Sequence, residues 1–503
     1  MKHIFYLTLA LVWSHHLAPV SVAQAIPKVF GGTGWDVAYD MIPRDDGGLI
    51  LVGTTNSNDG DFDSLLNGSN DLFMIRLNAL GDVVWRKTYK WTGSSSVPFT
   101  ASDSPVGFNN LSTLQRVESD KRPQNMVVSR NGSYFRPILA ASSSDQGVLI
   151  ACTVTNEQTI DFDRYPSARD LDKYPFTLDL DIMMIQFDSA GSVRGVVKIG
   201  GSRQDIPTAI AMYGNDVLLT GYTYSYDGNF SSKGRSGGRD ADAFVAKFDS
   251  KGKIDWLKVL EGSQDDVPMS VCVSTDGSWI LGGWTRSSTG DYEGLEVGSE
   301  DAFLMHFDPL GRITWKKTIG GIGSDVISSI VALENGGWAV AGETTGKGAL
   351  YNFFASWFGA DDRGDFAGRY KGGQDVFVAR LDPAGNKIWT TVLGGNDDEV
   401  VTGLLPEVNG DVIVYGWTRS DNDDFDDLNH GYFDVFTVRL DVNGVKTETK
   451  LFGGGIEDWP AKICGNAAQR YSLLGTTLSN TGDFDGLKRG WCDVFLIDLD
   501  TLR

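Results

Sequence analysis

Cysteine and histidine are scarce in this sequence, whose 503 residues contain four cysteines and five histidines. So few cysteines exclude a disulfide scaffold. Only His306 and His430 follow residue 25, which argues against a histidine-rich metal site. Basic residues are also outnumbered, because 44 Lys and Arg face 66 Asp and Glu for a net charge of −22. A surface this acidic repels nucleic acid and anionic lipid, so we expect neither as a main partner.

Long apolar runs are missing beyond the first 25 residues, so we expect no membrane insertion. Residues 1–25 themselves have the three parts of a secretory signal peptide. These are Lys2, a short apolar run over residues 4–13, and a small-x-small cleavage site at residues 23–25. We therefore predict cleavage after Ala25 and a mature chain that is secreted to the periplasm, the extracellular space or the cell surface.

Glycine, by contrast, is abundant at 61 residues and recurs in a fixed pattern. Each copy of the pattern begins Gly-Gly-x-x-x-Asp and continues through an Asp/Asn-Gly turn, Gly-x-Thr, Gly-Asp-Phe and Asp-x-Phe-x-x-x-Leu-Asp. Seven copies account for residues 26–503 as one domain, and the second copy departs most from the pattern. Their approximate bounds are 31–91, 92–199, 200–260, 261–319, 320–393, 394–452, and 453–503 together with 27–30.

Each copy contains four short segments in which apolar and polar residues alternate between Gly- and Asx-rich turns, which is typical of β-strands in hairpins. Seven units of four strands predict an all-β fold, a seven-bladed β-propeller. Cys464 and Cys492 lie on the first and third strands of one unit. Since those strands are not neighbours, we predict no disulfide between them.

The two ends of the chain predict how the ring closes. The last copy stops after its third strand, and residues 27–32 have the sequence of a fourth-strand ending. We therefore expect the mature N-terminal strand to pair with the last blade, which would leave no exposed strand edge at the junction.

The motifs are most complete over residues 54–62, 71–85 and 476–484. They resemble the tandem β-propeller repeats of bacterial secreted and surface proteins. The resemblance covers nearly all of the chain after residue 25 and implies a propeller fold and export. It implies no particular activity, because propellers carry many activities or none.

The longest insertions in the repeat follow second or fourth strands, and all of them fall on one face of the predicted propeller. We call this the crossover face, because the connections between blades also lie there. Binding residues concentrate in such loops on a rigid frame, so residues there that depart from the repeat are candidate ligand-binding residues. They are Trp35, Trp284, Trp357, Arg363, Trp417 and Trp459.

Two loops of the same face have oxygen-bearing side chains at alternate positions, which favours calcium as a cofactor. The candidate ligands are Asn56, Asn58, Asp61, Asp421, Asp423 and Asp426. Neither loop has the complete EF-hand pattern. The alternative interpretation is that the aspartate of Gly-Asp-Phe accepts backbone N–H bonds in a tight turn, since it recurs in nearly every copy.

No set of catalytic residues stands out from the repeat. We therefore predict a monomeric, non-enzymatic binding module whose crossover face takes a glycan or protein ligand. One alternative is a polysaccharide hydrolase or lyase that uses Asp or Glu of the same face. Another alternative is a structural surface module without a small ligand.

Overall fold

The repeat folds into seven four-stranded antiparallel sheets arranged as a β-propeller, as predicted, in a computed structural model of the chain. The structure describes residues 27–62, 71–89, 127–128, 134–135, 138–142, 147–155, 180–214, 216–231, 240–249, 252–295, 300–321, 323–334, 336–345, 365–366, 369–426, 429, 431–465 and 470–499. The predicted signal peptide lies outside these residues, so its cleavage stays a prediction. No helix in the described part of the chain is long and apolar enough to cross a membrane.

In chain order the strands are β1 (Lys28–Phe30), β2 (Asp36–Pro43), β3 (Leu49–Thr55), β4 (Asp71–Leu77), β5 (Val83–Tyr89), β6 (Val127–Val128), β7 (Tyr134–Phe135), β8 (Ile138–Ser142), β9 (Val148–Thr155), β10 (Leu180–Phe187), β11 (Val193–Ile199), β12 (Asp205–Tyr213), β13 (Asp216–Thr223), β14 (Asp242–Phe248), β15 (Ile254–Leu260), β16 (Asp266–Val273), β17 (Trp279–Thr285), β18 (Asp301–Phe307), β19 (Ile313–Ile319), β20 (Asp325–Ala332), β21 (Trp338–Thr345), β22 (Gln374–Leu381), β23 (Lys387–Leu393), β24 (Glu399–Pro406), β25 (Val412–Thr418), β26 (Asp434–Leu440), β27 (Lys446–Phe452), β28 (Asp458–Gly465), β29 (Tyr471–Thr477) and β30 (Asp493–Asp498). Blade 1 is β2–β5, blade 2 is β8–β11, and blades 3 to 6 follow in groups of four from β12 to β27. Blade 7 is β28–β30 completed by β1, while β6 and β7 form a separate pair.

Short 3-10 turns lie between the second and third strands of five blades. Each turn ends on an aromatic residue that is fully buried beside the third strand of its own blade, as Phe62 is beside Phe73 at a ring-centroid distance of 5.2 Å. The turns are Gly60–Phe62, Gly228–Phe230, Gly290–Tyr292, Asp423–Phe425 and Gly482–Phe484.

The hairpins between third and fourth strands explain the regular glycine of the repeat. In blade 1, Gly81 has a φ of 75°, a left-handed conformation that glycine adopts without strain. The Asn78 side chain accepts N–H bonds from residues 80 and 82 and holds the turn. The same left-handed glycine, with φ between 75° and 79°, occurs at Gly81, Gly191, Gly252, Gly311, Gly385 and Gly444.

A β-bulge lies near the start of the first strand in six blades. The bulge recurs in β2, β12, β16, β20, β24 and β28. Side chains of the preceding blade bond to backbone N–H groups near these bulges. Ser270 Oγ accepts from Ile330 N at 3.0 Å, and Ser329 Oγ accepts from Leu404 N at 3.1 Å. The wall around the axis is therefore held by bonds between blades as well as within them.

The ring closes as predicted, because β1 pairs antiparallel with β30. Lys28 lies opposite Leu496, and Phe30 lies opposite Val494. The Lys28 ammonium also donates to the backbone carbonyls of Leu80 and Gly81 in blade 1, at 3.1 and 2.9 Å. Residues from both ends of the described chain thus complete one sheet.

All four cysteines are free thiols. Cys464 lies on β28 and Cys492 directly precedes β30, and β29 separates these two strands. Burial raises the pKa of the Cys464 thiol to about 12, so this group is a packed, unreactive side chain.

Candidate functional site: the crossover face

A buried carboxyl group opens the first strand of six blades on the crossover face. In blade 1, Asp36 accepts hydrogen bonds from the Gly32 N–H and the Ser57 hydroxyl, both at 2.8 Å, and from the Thr55 hydroxyl. The Gly-Gly-x-x-x-Asp and Gly-x-Thr-x-Ser motifs therefore meet in one network that fixes the loops at the start of blade 1. The equivalent carboxyl groups are Asp205, Asp266, Asp325, Glu399 and Asp458.

The aspartate of Gly-Asp-Phe caps the same loops from the other side. Asp61 Oδ2 accepts the Gly31 N–H at 3.0 Å, and Asp483 Oδ2 accepts the Gly453 N–H at the same distance. The equivalent acceptors in the other blades are Asp291, Asp365 and Asp424. These bonds bear out the turn-capping interpretation of the recurring aspartate.

The predicted calcium ligands of blade 1 have other partners in this structure. Besides Gly31, Asp61 pairs with the guanidinium groups of Arg86 and Arg489, each at 2.9 Å. The Asn56 side-chain oxygen accepts the Trp35 N–H at 2.6 Å. Among the described residues, no three His, Cys, Asp or Glu side chains come together as a metal site would require. Calcium binding stays a prediction.

The remaining predicted calcium ligands are exposed: Asn58, Asp421, Asp423 and Asp426. Asp423 is unusual in its backbone, because its φ of 55° places it in the left-handed region. Equivalent turns have glycine there, as at Gly60 and Gly482 with φ of 62° and 63°. A left-handed backbone brings Cβ towards a neighbouring carbonyl and costs about 1–2 kcal/mol per residue in most L-amino acids.

Replacing Asp423 with glycine is expected to raise the free energy of unfolding by about 1 kcal/mol, because it removes this strain. The reverse change at the equivalent turn, Gly482→Asp, should destabilise, since a Cβ there would collide with the Gly453 carbonyl oxygen. Denaturant unfolding of both variants measures the difference. A destabilising effect of Asp423→Gly would show that the carboxylate contributes more than the strain costs.

A second buried carboxyl group lies at the start of the third strand in six blades, close to the first-strand carboxyl of the next blade. A Cβ at Gly31 would collide with Asp493 Oδ1 and lie 3.1 Å from Asp36 Oδ2. Burial, assisted by the charge of Asp493, raises the pKa of Asp36 to about 7. The corresponding pairs are Asp181 with Asp205, Asp242 with Asp266, Asp301 with Asp325, Asp375 with Glu399, and Asp434 with Asp458.

Of the six candidate ligand-binding residues, the structure brings two together at the axis. Trp417 and Trp459 both line a central cavity of about 600 Å³. Trp284 is instead packed beside a cluster that includes Val267 and Tyr222. Trp35 stacks on Trp491 with ring centroids 6.5 Å apart. The other two candidates, Trp357 and Arg363, lie outside the described residues.

Two exposed aromatic residues on this face were not predicted from the sequence. Trp491 and Tyr432 are 65% and 64% exposed. They occupy equivalent positions, each two residues before the third strand of its blade. The backbone N–H of Trp491 donates to the Gly34 carbonyl and that of Tyr432 to the Ile456 carbonyl, both at 3.1 Å. Each acceptor lies just before the first strand of the following blade. The available signal was an aromatic residue at a position where blade 5 has glycine and blade 3 has aspartate.

A buried glutamate in blade 5 replaces the residue between Gly and Thr of the Gly-x-Thr motif. Glu343 Oε1 accepts the Val401 N–H of blade 6 at 3.1 Å, and Oε2 bonds the Ser328 hydroxyl at 2.6 Å. Burial raises the pKa of Glu343 to about 8. The side chain joins two blades, as Thr476 does by accepting the Ala38 N–H at 3.0 Å.

Known proteins similar to this chain are few in sequence and distant in structure among those compared. No protein family model matches the chain. The chain is 23% identical over 333 residues to the regulatory protein FlaEY of Caulobacter vibrioides, a match that covers 65% of this chain. The chain spans about a third of the length of that curated relative, since the match covers 32% of it.

Three solved structures are similar at low identity. Sqt1 from Chaetomium thermophilum matches over 94% of this chain and 98% of its own, with a TM-score of 0.41 and 9% identity. YCF48 bound to the D1 peptide matches over 96% and 99%, with a TM-score of 0.39 and 10% identity. The Pan2 WD40 domain of Neurospora crassa matches over 72% and 89%, with a TM-score of 0.35 and 9% identity. The propeller assignment rests on the strand order of the chain itself.

Proposed function

We propose that this chain is an exported interaction module of the secreted and surface propeller-repeat type, which binds a protein ligand through its crossover face. The observation that carries the proposal is the pair Trp491 and Tyr432, both about two-thirds exposed at equivalent positions of neighbouring blades. Large aromatic side chains are costly to leave in water, and aromatic residues are enriched at protein interfaces.

The surroundings of Tyr432 support a protein ligand. The guanidinium carbon of Arg419 lies 5.2 Å from the ring centroid of Phe433, the residue that follows Tyr432 in the chain. The exposed side chain of Ile456 adds aliphatic surface. Tryptophan, tyrosine and arginine are the residue types that dominate binding energy at protein interfaces.

The frame beneath the surface is rigid, which lowers the entropy cost of binding. Backbone pairing joins Phe433 to Glu457 and Trp35 to Cys492 across two blade junctions. The aromatic residues are therefore held by both blades at each junction.

A glycan is the second candidate ligand of this face, because the stacked rings of Trp35 and Trp491 leave one indole available to pack against a sugar ring. The hydrolase, the lyase and the structural module stay alternatives. No arrangement in the described residues favours them over binding. The monomeric state also stays a prediction.

The test is affinity capture with the immobilised mature chain and the envelope and secreted proteins of the producing organism. We expect a partner whose affinity falls about 30-fold, or about 2 kcal/mol, in Trp491→Ala and in Tyr432→Ala. The matched control is Leu310→Ala, since Leu310 is 76% exposed on a hairpin of the opposite face. Equal retention by all three variants would refute the assignment of the face.

Export is tested separately by amino-terminal sequencing of the secreted chain, whose first residue should be Ile26.

A further inference from the structure

The central cavity has features that docking on the exposed crossover face does not require. It has a volume of about 600 Å³ and lies between the described first strands of six blades. The cavity wall has no side chain at Gly403, where a Cβ would collide with the hydroxyl oxygen of Tyr415. The glycine thus gives the Tyr415 hydroxyl room beside the cavity wall, and Tyr415 itself lines the cavity.

Two opposite charges lie together on the cavity wall at the junction between blades 7 and 1. Lys462 Nζ is 3.2 Å from Asp40 Oδ1, which also accepts the Met41 N–H at 2.8 Å. Asp40 is 4% exposed, so this pair is held in place by the surrounding strands. Because the two charges compensate each other, the cavity offers a donor and an acceptor side by side without attracting a free ion.

Aromatic surface lies at the crossover end of the cavity. Trp417 is the sixth residue of β25 and Trp459 the second residue of β28, so both are at that end of their strands. Both line the cavity. Trp459 is half-buried, whereas Trp417 is 5% exposed and packs against Phe433, so it presents only a small part of its ring. Flat apolar rings with a few placed polar groups are the usual composition of a small-molecule site, and 300–1,000 Å³ is about the usual volume.

We propose that the central cavity binds a neutral oligosaccharide of about two or three rings, a size suited to pockets of this volume. A sugar hydroxyl donates to Asp40 and accepts from Lys462, and a C–H face of the sugar packs against Trp459, with the exposed part of Trp417 beside it. The site is distinct from the exposed protein-binding surface at Trp491 and Tyr432. An inserted peptide end is the competing occupant, which a failure of every trisaccharide to bind would favour.

The experiment titrates the mature protein with maltotriose, cellotriose and triacetylchitotriose. Tryptophan fluorescence and ligand-observed NMR are the readouts. We expect saturable binding of at least one trisaccharide with a Kd of about 1 mM or tighter. Trp417→Leu should weaken it about tenfold. The matched control is Trp284→Leu, which changes the same position of the repeat in blade 4 but lies outside the cavity lining, and its affinity should stay within about twofold.

A second variant keeps the test valid if Trp417→Leu unfolds. Ala209→Leu fills the cavity from blade 3, at the repeat position that Lys462 occupies in blade 7. It should abolish trisaccharide binding and leave the melting temperature close to that of the wild type.

Three results would overturn the proposal. The first is no saturable binding of any trisaccharide up to about 10 mM. The second is an equal loss of affinity in the Trp417 and Trp284 variants. The third is a loss in Trp491→Ala with none in Ala209→Leu, which would place the sugar on the exposed face. Since the protein partner is tested with Trp491 and Tyr432, failure of one proposal leaves the other open.

Discussion

Phe30→Ala is expected to lower the free energy of unfolding by about 3–5 kcal/mol and to release the N-terminal strand from the last blade. Phe30 is buried on a strand of three residues, whose pairing with β30 joins the two ends of the described chain. Once the phenyl ring is removed, the remaining pairs of Lys28 and Val29 hold too little surface to keep the strand docked.

The matched control is Phe452→Ala. Phe452 occupies the same repeat position, is equally buried, and ends a strand of seven residues that is continuous with its own blade. We expect a similar loss of unfolding free energy there without strand release. Hydrogen exchange should therefore show lost protection at Val29 and Phe495 in the first variant and retained protection along β27 in the second. Retained protection at Val29 in Phe30→Ala would contradict the prediction.

The second large effect concerns pH: the protein should be more stable at pH 5 than at pH 8 by several kcal/mol. Burial raises the pKa of the carboxyl groups that open the first strands, because each lies in a low-dielectric junction beside another carboxyl group. The pKa is about 7 for Asp36, Asp205, Asp266, Glu399 and Asp458, and about 6 for Asp325.

The direction of this pH dependence follows from the number of protons bound in the folded and unfolded chain. A carboxyl group whose pKa is higher in the folded than in the unfolded chain binds more protons when folded, so its stabilisation is complete below about pH 4. That stabilisation is lost as the pH rises from about 4 to about 7, a range in which each group costs up to about 1.4 kcal/mol per pH unit, and the loss levels off above the folded pKa. Exposed hairpin carboxylates act in the opposite sense below pH 4, since hydrogen bonds lower the pKa of Asp308 and Asp441. Stability should therefore be greatest in mildly acidic solution.

Asp493→Asn changes the carboxyl pair of a single junction, the one between blades 7 and 1. The amide oxygen can still accept the N–H bonds of Arg489 and Gly490, while the charge facing Asp36 is removed. We expect unfolding free energy at pH 8 to rise by about 1 kcal/mol, and its dependence on pH between 5 and 8 to become shallower.

The control for this junction is Asp308→Asn on an exposed hairpin, where blade 1 already has Asn78 in the equivalent place. It should leave the slope between pH 5 and 8 unchanged, because its carboxyl group is ionised throughout that range. Urea denaturation at both pH values measures all three proteins. A wild-type stability that rises from pH 5 to pH 8 would rule out protonated junctions.

The fold was predictable because its determinants are local and repeated. Alternating residues, Asx-Gly turns and the seven-fold recurrence predicted the strands, and the phase of the two chain ends predicted that residues 28–30 complete the last blade. The capping role of Asp61 was also among the alternatives, since a residue present in nearly every repeat serves the structure shared by every blade.

The candidate site was predictable only in part. Trp284 and Trp417 occupy the same position of the repeat, yet only Trp417 lines the cavity. Trp491 was missed, although it is far more exposed than Trp417. A residue that departs from the repeat can be recognised in the sequence, but its burial cannot, because burial depends on contacts with the neighbouring blades.

The sequence by itself determined the number of blades, the order of their strands and the place where the ring closes, since each of these follows from a short-range pattern. Only the tertiary structure decided which aromatic residues meet at the axis, which are left in water, and which carboxyl groups face one another. Those relations join residues from different blades, and no periodicity along the chain encodes the contacts across a junction.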